Sequence, residues 1–126
     1  MRGYTLAAAA VTLRVSHKWL DNVLSHHPVP GVRRTRQGVR RLLSPAALHQ
    51  LEIALVLTRS LGIPFSIAIP LAAEIHESGG SLDLPGARRV HIAMDLSALI
   101  SDVDRRLADA VESAPTPKRG RPPKRR

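Results

Sequence analysis

The chain has 126 residues, 44% of them hydrophobic and only 2% aromatic, with a formal net charge of +9. That length suits one modest core, which must be built from Leu, Ile, Val and Ala. The chain has no cysteine, so disulfides, thiolate metal sites and thiol redox chemistry are excluded.

The charge is segregated along the chain. Residues 1–43 carry eight Arg or Lys against the single acid Asp21, residues 44–114 carry nine acids against five Arg, and residues 115–126 carry six cations and no acid. Two basic ends flanking an acidic middle predict two polyanion-binding elements joined by a body with another task, such as pairing with itself or with a partner. Tyr4, Trp19 and Phe65 are too few aromatics for a platform that stacks single-stranded bases. No apolar stretch approaches the roughly 18 residues of a membrane span. Nothing near the start reads as a signal peptide, because the run from Leu6 to Val11 is short and Arg14 follows it. The expected location is the cytoplasm, in association with the nucleoid, with no membrane partner.

Thr5 predicts the N-cap of a short helix from Leu6 to Leu13. Ser16 predicts the cap of a second, near 17–25, with Trp19, Leu20, Val23 and Leu24 on one face and Lys18, Asp21 and Asn22 off it. Pro28, Pro30 and Gly31 end that helix. Two basic runs around Gln37-Gly38, from Val32 to Leu42, predict a small β-hairpin. Ser44-Pro45 starts a third helix, reaching about Ser60 and closed by Gly62. Ser66 is expected to cap a fourth, to about His76, with Pro70 in or near its first turn. After Gly79-Gly80, the alternation of Leu82 and Leu84 with Val90, Ile92 and Met94 about Pro85-Gly86 predicts a second hairpin. Asp95 or Ser97 caps a last helix to about Glu112, whose apolar stripe includes Leu99, Val103, Leu107 and Ala110. From Ser113 the Pro, Lys, Arg and Gly composition predicts a segment without a fold of its own.

The expected fold class is mainly α with small β-hairpins: a winged helix-turn-helix with a helical C-terminal extension. Its divisions fall at 1–78, 79–112 and 113–126, with 90–112 as the expected homodimer seam. In such a fold a braced second helix enters the major groove and a basic wing holds adjacent phosphates. Ser16, His17, Lys18 and Asn22 are the candidates on the helix, and Arg33, Arg34, Arg36, Arg40 and Arg41 those on the wing.

Several stretches then follow in a familiar order: Tyr4-Thr5-Leu6, Val15-Ser16 with Leu20, Gly38-Val39-Arg40-Arg41-Leu42-Leu43-Ser44, and Leu48, Leu51, Ile53, Leu57 with Leu61-Gly62-Ile63-Pro64. Over about residues 4–75 the sequence resembles the DNA-binding domain of MerR-type regulators. The resemblance implies a recognition helix at 16–25 and a wing at 32–43. It departs from that family where Asp21-Asn22-Val23-Leu24 replaces the usual Arg-aromatic-aromatic-Glu run.

The tail carries a second resemblance. Pro117-Lys118-Arg119-Gly120-Arg121-Pro122-Pro123-Lys124 resembles an AT-hook. Gly120 lets the backbone reach the floor of a narrow A·T minor groove, Arg119 and Arg121 extend along it, and Pro122 keeps the strand extended. Lys118, Arg119, Gly120, Arg121, Pro122 and Lys124 are therefore candidate DNA contacts.

His49 with Glu52, and Glu74 with Glu77, read as surface pairs. No Ser-His-Asp order, phosphate loop or carboxylate dyad stands out, so no catalysis, metal or cofactor is expected. Double-stranded DNA is the expected partner and a transcription regulator the expected role. An architectural or recombination-accessory protein, and an antitoxin-like protein-interaction module, remain the alternatives.

Overall fold

The computed structural model describes residues 3–33, 41–84 and 90–113, with Arg33 described by its backbone alone. The elements in order are α1 (Leu6–Leu13), α2 (His17–His26), β1 (Val32–Arg33), β2 (Leu42–Leu43), α3 (Pro45–Leu61), α4 (Phe65–Glu77), β3 (Ser81–Asp83), β4 (His91–Ala93) and α5 (Leu96–Ser113). The chain is mainly helical, and the described residues form two small antiparallel sheets of two strands each. No helix among the described residues is long and apolar enough to cross a membrane.

Local chemistry sets most boundaries. The hydroxyls of Thr5, Ser16 and Ser44 accept hydrogen bonds from the backbone N–H of Ala8, Trp19 and Ala47, three residues on, and so begin α1, α2 and α3. Asp95 does the same for Ala98 at the start of α5. Gly62 ends α3 in the left-handed region at φ 71°, with its own N–H and that of Ile63 returning to Thr58 and Leu57. Arg14 ends α1 in the same way at φ 60°, a conformation that disfavours a side chain. The reward is a turn of only three residues between α1 and α2.

The start of α4 differs from expectation. Ser66 does not cap it; Pro64 does, without a side-chain bond, and its carbonyl accepts from both Ile67 and Ala68 at 2.9 Å. The fixed φ of proline makes this start without a polar side chain. Pro70 consequently lies in the second turn rather than the first, on the exposed side of the helix.

Both predicted hairpins have their strand ends. Val32 pairs with Leu43 and Arg33 with Leu42, while Ser81, Leu82 and Asp83 pair with Ala93, Ile92 and His91. The turns at Gln37-Gly38 and Pro85-Gly86 lie outside the described residues. Tyr4 also bridges Leu43 on the far side of β2, with backbone bonds of 2.8 and 2.9 Å. Leu43 is thereby held from both edges and is fully buried. At the root of this hairpin Gly31 sits at φ +93°, and a Cβ there would run into Ser44 Oγ, so only glycine fits.

One apolar cluster joins the helices. Leu13, Leu20, Leu48, Leu51, Ile53, Leu57, Ile75 and Val103 are fully buried within it. Each such side chain contributes on the order of 1.5–3 kcal/mol. α5 inserts Val103, Leu107 and Ala110, spaced by one helical turn, against α1 and α3. Of the segment expected as a subunit seam, Val103, Leu107 and Ala110 pack within the chain while Val90 and Val111 stay exposed, and the part from residue 79 onward shares the core of the helices before it.

Glu52 and His49 also differ from the surface pair expected of them. Both are turned inward from α3 toward α5. His49 Nε2 lies 2.9 Å from Asp104 Oδ1, and Glu52 Oε2 lies 3.1 Å from Arg106 Nη2. Arg106 also donates to the Thr12 carbonyl of α1 at 2.8 Å and to Asp102 at 3.0 and 3.1 Å. The Arg106 and Glu52 side chains are only 13% and 12% exposed, so water does little to screen the pair. Removing one partner of a buried pair leaves the other charge uncompensated. Arg106→Met is expected to lower stability by about 3 kcal/mol, read as a shift in the urea unfolding midpoint.

Candidate nucleic-acid interface

α2 is amphipathic. Leu20 and Val23 enter the core, and Trp19 packs edge-on against Phe65 of α4 with ring centroids 5.1 Å apart. The opposite side exposes His17, Lys18, Asp21, Asn22, Ser25 and His26. Lys18, Asn22, Ser25 and His26 line one open depression beside Ser16. The Ser16 hydroxyl accepts from Trp19, which leaves its proton free for an outside acceptor. The four helix residues singled out from sequence thus lie together at the exposed start and outer face of α2. Ser25 and His26 extend the same face. Their one-turn spacing from Asp21 and Asn22 puts them there.

Arg41 occupies a different place from its expected one. Its guanidinium reaches Asp21 Oδ1 at 2.5 Å, the Asp21 carbonyl at 3.2 Å and Ser25 Oγ at 2.9 Å. The side chain is 11% exposed. It ties the root of the hairpin to α2 and neutralises the only acid of the basic N-terminal segment. Arg41 therefore acts by holding the two elements together rather than by projecting into solvent. Arg33 continues β1, and its side chain lies outside the described residues. Arg34, Arg36 and Arg40 of the wing, and Lys118, Arg119, Gly120, Arg121, Pro122 and Lys124 of the tail, lie outside them as well.

No family profile matches the chain, and no curated protein or solved structure resembles it at a significant level.

Away from α2, among the described residues no group of three or more His, Asp or Glu side chains could hold a metal ion. His49 and His76 do face one another between α3 and α4, with ring centroids 5.8 Å apart. Burial, and then repulsion from His49, hold the His76 imidazole below the usual histidine value of 6.5, against a smaller opposing pull from Glu77.

Two outcomes are expected. Arg41→Lys keeps the charge but loses the forked contact to Asp21 and Ser25, and is expected to lower stability by about 1 kcal/mol in thermal or urea unfolding. For His76, the unfolded chain takes up the proton more readily than the folded one. The stability present above the ordinary histidine range is therefore lost as pH falls through the lower folded value. Between pH 7 and pH 5 the urea midpoint is expected to drop less in His76→Gln than in the parent chain.

Proposed function

We propose that this protein binds double-stranded DNA as a winged helix-turn-helix, most simply as a transcription regulator. α2 lies in the major groove, with Lys18 on phosphate and His17 and Asn22 at base edges. The hairpin rooted at β1 and β2 brings Arg33, Arg34, Arg36 and Arg40 to the flanking backbone, and the tail follows an A·T-rich minor groove. The observation that carries this reading is the Arg41–Asp21 clamp. It fixes the base of a hairpin of basic sequence beside a helix whose free face is polar and carries Lys18. The order of α1, tight turn, α2, hairpin and α3 supports it, as does the resemblance to MerR-type regulators over about residues 4–75. The segregation of cations into residues 1–43 and 115–126 is the electrostatic footprint such a protein needs. Catalysis has no part in this reading.

Asp21 is the one unfavourable charge on the interface, and Arg41 offsets it locally. Phosphate contacts then supply most of the affinity, which makes binding strongly dependent on salt. Base contacts from a single short helix contribute discrimination of roughly 1–3 kcal/mol for each well-made bidentate pair.

The test is duplex binding by the full chain across a salt series, on A·T-rich and G·C-rich DNA. Lys18→Ala is expected to weaken binding to all sequences and to reduce the salt slope by about 1. Asn22→Ala is expected to flatten the base preference at one position. Arg119→Ala with Arg121→Ala is expected to remove the preference for A·T-rich DNA. Footprinting separates a regulator, with a sharp protected site, from an architectural protein, with broad A·T coverage. Absence of duplex binding at low salt by the parent chain would overturn the reading.

A further inference from the structure

The C-terminal end of α5 is electrostatically unbalanced. A helix C-terminus carries partial negative charge from its unpaired carbonyls, which Lys, Arg or His in the last turn ordinarily offsets. α5 has no basic residue in its last turn; Glu112 lies there instead, with Asp109 just before it. Both are exposed, and neither has an ion-pair partner among the described residues. The next cations in the chain, Lys118 and Arg119, begin five residues after α5 ends at Ser113.

Beside this helix end lies a groove of about 400 Å³, between α5 and the segments before α1 and at the start of α3. Tyr4, Pro45, Leu107 and Val111 give it an apolar floor, and Asp104 and Glu112 stand along it. Val111 is 53% exposed, a large apolar side chain left open to water. An aromatic and apolar groove with acids along it suits an extended, proline-rich, cationic strand. The tail has that composition: residues 114–126 contain Pro115, Pro117, Pro122 and Pro123 with six Arg or Lys.

Length permits the match. From Glu112 back to Asp104 is eight residues of helix, about 12 Å at the helical rise. After a reversal through residues 114–117, the stretch 118–122 covers about 15 Å when extended. That is enough to bring Lys118 and Arg119 to Glu112 and Asp109, and Arg121 toward Asp104. A short tether also makes the encounter intramolecular, at an effective concentration on the order of millimolar.

We infer that the chain's own tail folds back into this groove, so that Arg119-Gly120-Arg121-Pro122 is held on α5 until a stronger polyanion displaces it. The contact is weak because its charges are exposed, and salt weakens it further. It makes the acidic end of α5 an internal competitor for the segment that the proposed function assigns to DNA. Its placement does not depend on that assignment.

The experiment is ¹⁵N NMR of the full chain at low ionic strength, following the amides of Thr116, Gly120, Val111 and Glu112. In the parent chain Thr116 and Gly120 are expected away from random-coil positions, independently of protein concentration. High salt and the surface variant Glu112→Gln should each move them toward random coil. An A·T-rich duplex should return Val111 to the position it holds at high salt. Glu112→Gln is also expected to raise affinity for that duplex roughly twofold, as loss of one exposed pair would. Random-coil tail shifts at low salt that the variant leaves unchanged would overturn the inference. Shifts that grow with protein concentration would overturn it too, by placing the tail on a second copy. If the chain binds no DNA, the proposed function fails while the tail shifts still decide this point.

Discussion

The fold depends on one buried guanidinium. Arg106 reaches from α5 to the Thr12 carbonyl at the end of α1 and to Glu52 in the middle of α3. An apolar stripe alone leaves a helix free to slide or rotate on its neighbours, because burial of area has no direction. A planar donor with fixed fork geometry does not tolerate such a shift. The stripe of Val103, Leu107 and Ala110 supplies attraction, and Arg106 supplies register. This matters more here than in most chains, since a core with almost no aromatic rings has few large, directional contacts to fix its packing. Glu52 Oε1 is buried with no hydrogen-bond partner among the described residues, so the arrangement there is not fully compensated.

A second arginine repeats the logic at the candidate interface. Arg41 joins β2 to α2 through Asp21 and Ser25. β2 is in turn fixed by Tyr4 on one edge and Val32 on the other, and Gly31 admits Ser44 at the hairpin root. The position of α2 relative to the basic hairpin is thus set by backbone pairing and one ion pair, not by the residues offered to a ligand. His17, Lys18 and Asn22 are exposed and free to vary without loosening this frame.

The charge segregation takes on a structural sense once α5 is in place. The acids of the middle segment are not one patch. Glu52 and Asp102 hold Arg106, Asp104 holds His49, and Asp83 meets His91. Four of the nine acids of this segment are thus paired with basic side chains of the same chain. Asp109 and Glu112 are left at the end of α5, where the helix itself is already negative. The body presents a polar face with Lys18 on α2 and an anionic helix end elsewhere. That separation is what the proposed DNA contact and the inferred return of the basic tail would each draw on.

The sequence by itself determined what local chemistry controls. The caps at Thr5, Ser16 and Ser44, the left-handed stop at Gly62 and the alternating strands were all legible, because each depends on residues within about one helical turn or a few strand positions. The exposed face of α2 was legible for the same reason. Pro64 was not read as the start of α4, because a proline start leaves no polar signal and Ser66 offered a competing one. Tertiary structure alone decided which charges are surface groups and which are internal fasteners. Arg41 meets Asp21 across 20 residues, His49 meets Asp104 across 55 and Arg106 meets Thr12 across 94. No spacing rule reaches that far, because such pairs form only after apolar packing has brought unrelated segments of the chain together.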